Sequence, residues 1–101
     1  MKRATFNILF IVKRSRTAQN GLTPVFVRVT INGLRCEASV SLKTDPAAWN
    51  STVGRSLGKD RISQELNRRL DVIRVRLMEI YRQTELEGKQ PDPHRIIDRY
   101  F

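Results

Sequence analysis

Between Val25 and Val40 the sequence VFVRVTINGLRCEASV sets polar side chains at every second position: Arg28 and Thr30, then Arg35, Glu37 and Ser39. None of these is a nucleophile with a general base at hand. They are donors and acceptors of the kind that read a polar edge or grip an anion. Arginine forks onto guanine O6 and N7, and Ser and Thr hydroxyls reach bases or phosphates. The row of Lys13, Arg28, Thr30, Arg35, Ser39, Ser41 and Lys43, with Asn7 beside it, suits recognition rather than bond making. Arg28, Thr30, Arg35 and Ser39 are the candidate base contacts. Lys2, Arg3, Lys13, Arg14, Arg16, Ser41, Lys43 and Arg55 are placed to hold backbone phosphates.

For that row to exist, a hairpin must present it. Strand 2 is expected over roughly Pro24 to Ile31, with Pro24 in the first position, where it removes no ladder bond. Asn32-Gly33 supplies the two positive-φ residues of a type I′ turn. In such a hairpin Ile31 faces Leu34, Val29 faces Cys36, Val27 faces Ala38 and Val25 faces Val40, all on one apolar side. On the reverse side Thr30 faces Arg35, Arg28 faces Glu37 and Phe26 faces Ser39. A slip of one residue would scramble this sorting. Arg28 opposite Glu37 reads either as a plain cross-strand pair or as a carboxylate holding the guanidinium ready for a base.

Strand 1 is expected from about Thr5 to Lys13, where Phe6, Ile8, Phe10 and Val12 alternate onto one face. Its other face carries Asn7, Leu9 and Ile11. With Phe26, these last two put apolar groups among the donors. They either touch thymine methyls, lie under the basic loop KRSRTAQNGLT, or meet a further domain. After strand 3, Asp45 and Pro46 start a short helical turn, and NSTVGRSLGKD reads as a loop. From Asp60 to Glu87 the period becomes helical: Ile62, Leu66, Leu70, Ile73, Leu77, Ile80 and Tyr81 form the buried stripe, and Gly88 the stop. Glu65–Arg69, Asp71–Arg74 and Glu79–Arg82 are spaced to pair on the exposed side.

The expected fold is therefore α+β: a three-stranded antiparallel sheet packed on one face by a long C-terminal helix over 60–87. Its other face is left open. Residues 1–90 make this domain. Residues 91–101 read as a connector and the start of a following helical domain, because Asp92-Pro93 opens a helix whose apolar stripe runs out at Tyr100 and Phe101.

Charge sharpens the reading. The chain of 101 residues carries a formal charge of +9. Ten Lys and Arg against only Glu37 and Asp45 fall in residues 1–59, whereas residues 60–101 hold nine basic and eight acidic groups. A one-signed half is the footprint of a polyanion partner, nucleic acid before a membrane surface. The start MKRATFNILFIVKR has a basic and an apolar part like a signal peptide, but its apolar part is brief and no small-residue cleavage site follows. Together with the single Cys36 this fits a reducing, cytoplasmic compartment. Cys36 reads as a packed thiol, Trp49 as a pin between the loop and the core, and His94 as a solvated side chain. No glycine-rich phosphate cradle and no metal-ligand spacing occur. The chain reads as non-catalytic, with no cofactor, small-molecule substrate or membrane partner.

The succession TFNILFIVKR, basic loop, PVFVRVTINGLR, Trp past strand 3, GR, and a helix with ELNRRLDVIRVRLMEIY resembles the N-terminal arm-type DNA-binding domain of tyrosine recombinases. These are phage-integrase-like enzymes of bacterial mobile elements. The resemblance covers most of residues 3–101. It implies a sheet that enters the major groove of double-stranded DNA at arm sites, with Arg28 and Arg35 as its sheet-face basic residues. It also implies a bacterial, nucleoid-associated protein in which core-binding and catalytic domains follow; residues 92–101 match the start of the first. The catalytic residues would lie downstream, so Tyr100 is not the nucleophile. Leu9 and Ile11 depart from the polar strand such a sheet would present. Two rivals stand beside it: an RNA-binding α+β module, which needs exposed aromatics, and a protein-interaction module docking through the long helix.

Overall fold

A computed structural model describes residues 5–101. Lys2 and Arg3, candidates for phosphate contact, lie outside the described residues. Strands β1 (Phe6–Val12), β2 (Thr23–Ile31) and β3 (Leu34–Thr44) form an antiparallel sheet in the order β1-β2-β3. A minute hairpin, β4 (Trp49–Asn50) and β5 (Arg55–Ser56), follows, then α1 (Arg61–Leu86) and α2 (Pro93–Tyr100). The α+β fold expected from the sequence is the fold observed.

The turn works as the sequence dictates. Asn32 and Gly33 take φ of 51° and 85°, the conformation that only Asn, Asp and Gly adopt cheaply. Ile31 pairs with Leu34, Thr30 with Arg35, Val29 with Cys36, Arg28 with Glu37, Val27 with Ala38 and Phe26 with Ser39. One expected pair is wrong. Val25 faces Leu42 rather than Val40, because Val40 and Ser41 form a bulge with no partner on β2. Ser41 takes a left-handed φ of 61° there, and bulges bend and twist the strand that carries them.

The apolar side is closed by two helices rather than one. Val25, Val27, Val29, Ile31, Ile8 and Phe10 share a core with Leu66, Leu70, Ile73 and Leu77 of α1 and with Ile96 and Ile97 of α2. Residues 91–101, expected as a connector and the start of a further domain, thus supply Pro93, Ile96 and Ile97 to the same buried layer. Tyr81 stacks on Phe6 at 4.0 Å between ring centroids. Arg74, expected to pair with Asp71, instead turns inward: its guanidinium lies over Phe10 and donates to the Ile8 carbonyl oxygen at 3.0 Å. Asp71 meets Arg55 at 3.7 Å. The expected Glu65–Arg69 pair forms at 3.4 Å, whereas Glu79 and Arg82 make no ion pair among the described residues.

Both ends of α1 follow local chemistry. Its C-terminus is a Schellman motif: Gly88, at φ of 73°, donates to the Glu85 oxygen at 3.0 Å, and Lys89 donates to that of Thr84 at 3.2 Å. At the other end the stripe differs from expectation. Ile62 is 79% exposed, and Ser63 is the residue turned inward. The reason lies in the hairpin, where a structureless loop was expected. Ser63 bonds the Ser56 hydroxyl at 3.1 Å, and Asn67 brackets the Ser56 backbone by accepting from its N–H at 3.0 Å and donating to its oxygen at 2.9 Å. Before the hairpin, Asp45 caps the expected short turn by accepting from the Ala47 N–H at 3.0 Å. Trp49 is buried in the core, as the pin it was expected to be. The turn beyond it rests on β1. Gly54, at φ of 69°, lies so close that a side chain's first carbon would sit 3.0 Å from the Phe10 carbonyl oxygen and 3.1 Å from Leu9 Cδ1.

Candidate nucleic-acid interface

The face of the sheet turned away from both helices carries the predicted row. The register places Arg28 and Thr30 on β2 beside Arg35, Glu37 and Ser39 on β3. Arg35 and Ser39 are exposed, and Arg28 and Thr30 are half-buried. Past the bulge the row continues through Ser41 and Lys43, both exposed. Ser39 Oγ accepts from the Ser41 N–H at 3.2 Å, and this bond ties the bulge to the row.

Glu37 is the only carboxylate in the first 44 residues, and it organises this face. Arg28 Nε donates to its Oε2 at 2.8 Å, and Lys13 Nζ lies 3.0 Å from its Oε1. Two cations thus share one carboxylate. The arrangement fixes the Arg28 guanidinium by one edge, and Nη1 and Nη2 have no partner among the described residues. Those are the two nitrogens that a bidentate contact uses. Arg35 and Lys43 have no acidic partner among the described residues either.

Hydrogen bonds from Lys13 and then Arg28 hold the Glu37 carboxyl below the usual glutamate range. A carboxyl whose folded value lies below its unfolded one stabilises the fold above the unfolded value, about 4.5, and loses that contribution as pH falls through the folded value. The Glu37 carboxyl carbon, followed by NMR, is therefore expected to titrate below free glutamate. The stability difference between the parent and Glu37→Gln should shrink as pH drops through that midpoint.

Phe26 and Leu9 on this face find cover within the chain. Phe26 is only 8% exposed. Lys13 Nζ sits 4.2 Å above its ring, and the Arg16 guanidinium lies 5.5 Å away, close enough for both to be held by the ring's negative face. The basic loop, which makes a short 3-10 turn over Arg14–Arg16, therefore lies over Phe26. Leu9 meets the Gly54 turn. Ile11 lines a depression together with Lys13, Arg28, Glu37 and Ser51. Arg14 is held at the edge, its Nη2 donating to the Pro46 oxygen at 3.2 Å. Arg55 stands apart from the row, on β5 and paired with Asp71 of α1.

Sequence reasoning missed the Lys13–Glu37 contact, whereas cover by the basic loop was one of the three fates it left open for Phe26. Its available signal was the isolation of Glu37 in an otherwise basic half. The remaining chemistry-bearing residues are structural or solvated. Cys36 is half-buried on the core side, where burial, with Asp98 second, pushes its thiol up. His94 is exposed next to Asp92. No group of three or more His, Cys, Asp or Glu among the described residues is placed to hold a metal.

A family model described as an arm DNA-binding domain matches residues 10–97. No curated protein and no solved structure matches the chain.

Proposed function

The chain belongs to the arm DNA-binding domain family, and from that premise we propose that it reads duplex DNA by laying the outer face of β1–β3 into the major groove. It is a DNA-binding domain, not a catalytic one. In this reading it serves as the N-terminal arm-site module of a tyrosine recombinase whose other domains carry the strand exchange. The major groove is wide enough for a β-ribbon. Arg28, Thr30, Arg35 and Ser39 would meet base edges, while Lys13, Arg14, Arg16, Ser41 and Lys43 would meet phosphates.

The observation that carries this reading is Arg28. Its Nε is anchored by Glu37 at 2.8 Å, which leaves its outer nitrogens uncommitted among the described residues, on an open face. An arginine held in this way has already lost much of the rotamer freedom that a base contact would otherwise cost. The RNA reading is weakened by Phe26, the aromatic it needs on this face, which is covered by Lys13 and Arg16.

Selection of bound duplexes from a random pool, followed by amide NMR titration with the selected site, tests the proposal. Shifts are expected at the outward positions of β2 and β3 and in the 13–16 loop, with the solvent side of α1 unmoved. Affinity should fall with salt by about 0.9 log units per phosphate contact for each tenfold rise. Shifts confined to α1, or preference for structured RNA over duplex DNA, would overturn it.

A further inference from the structure

α1 packs on one side only. Its opposite side carries a second regular series, Arg61, Glu65, Arg68, Val72, Val75, Glu79, Arg82 and Leu86, at alternating steps of four and three residues. This is the seam spacing of a two-stranded coiled coil. The series stands in water: Val72 is 56% exposed, Val75 53% and Leu86 76%. Shallow depressions run along it, one lined by Arg68, Val72, Val75 and Arg76, the next by Val75, Met78, Glu79 and Arg82.

The order of charges selects the occupant. When the series is turned end for end about a two-fold axis between residues 73 and 74, each member meets a complement. Val72 meets Val75 of the second copy, Arg68 meets Glu79, Glu65 meets Arg82, and the stem of Arg61 meets Leu86. A parallel arrangement in register would instead set Arg68 on Arg68, Glu79 on Glu79 and Arg82 on Arg82, which like-charge repulsion disfavours. We propose that the solvent face of α1 is a self-association surface on which a second copy of this chain docks antiparallel.

Glu65 is engaged within its own chain by Arg68 at 3.0 Å and by Arg69 at 3.4 Å. Exposed pairs of this kind exchange partners at little cost. With only the valine layers and the Leu86 ends apolar, and with Arg69 and Arg76 of opposite copies approaching along one flank, the dimer is weak and reversible. It rests on α1 alone and does not depend on the DNA reading. Since the sheet lies on the far side of α1, the two outer sheet faces of such a dimer point away from each other.

Sedimentation velocity of this 101-residue chain, from micromolar to millimolar concentration, tests the surface. A concentration-dependent shift from monomer to dimer is expected. Glu79→Arg, which sets arginine against Arg68, should weaken dimerisation by about tenfold or more. Adding Arg68→Glu to that variant restores opposite charges and should recover it. Both positions are exposed, so circular dichroism should show each variant folded as the parent. A chain that stays monomeric at millimolar concentration, a dimer indifferent to Glu79→Arg, or a double variant that fails to recover would each overturn the proposal.

Discussion

An Arg28→Ala, Arg35→Ala double variant is expected to lose its preference for a selected duplex along with much of its affinity for it. A bidentate arginine–guanine contact discriminates by about 1–3 kcal/mol, or roughly tenfold to a hundredfold. The two residues sit on adjacent strands, two ladder positions apart on the same face, so their effects need not add. Anisotropy titrations against the selected site and a scrambled duplex measure the ratio directly, and the ratio should collapse toward one. Lys43→Ala is the contrast: a phosphate contact should weaken both duplexes alike. Thermal denaturation must accompany the series, because removing Arg28 leaves Lys13 as the only cation on Glu37 among the described residues. A folded double variant that still prefers its site would remove the sheet face from the account.

The second large effect concerns the scaffold. Leu77 is fully buried, 0% exposed, in the stripe that α1 turns to the sheet. Leu77→Ala removes its packing and leaves a cavity, at a cost of about 2–5 kcal/mol. Small domains are stable by only about 5–15 kcal/mol, so urea unfolding should show a large fall in the midpoint. DNA binding should fail at temperatures where the parent still binds. Ile62→Ala makes the comparison informative. Ile62 fits the same helical spacing in the sequence but lies 79% exposed, and its replacement should change stability by less than about 0.5 kcal/mol. Equal losses at the two positions would mean that α1 is seated differently.

Ile62 also shows where sequence reading stops. Steps of four residues carry Ile62 to Leu66 and Leu70, so an apolar count assigns it to the core. What decides its place is polar: Ser63 is drawn inward by the Ser56 hydroxyl, and a hydrophobic period does not register serine. The hairpin that holds Ser56 has strands of two residues each, too short to show any alternation. By contrast, the register of the main hairpin was legible up to Phe26, because Asn32-Gly33 fixed its phase and each expected pair to that point formed, although Leu34 at the tip stays 66% exposed. The outward row was readable for the same reason. Its wiring was not. Lys13 lies just past β1 and Glu37 on β3, with β2 between them, and strand alternation cannot show that their side chains meet across it. For Phe26 the sequence offered cover by the basic loop as one of three fates, and nothing in the alternation chose among them.

The bulge in β3 carries a consequence for how this strand tolerates changes in length. Val40 and Ser41 are both extra relative to β2, so inside and outside keep their parity across the irregularity: Val40 and Thr44 are buried, and Ser41 and Lys43 are exposed. An even insertion is silent to a count by twos, which is why it left no trace in the alternation. Removing one of the two residues would force a choice: the remaining one stays looped out as a single-residue bulge, or Leu42 turns to water and Lys43 toward the oily layer. Removing both would leave each side chain on its present side and merely straighten the ribbon.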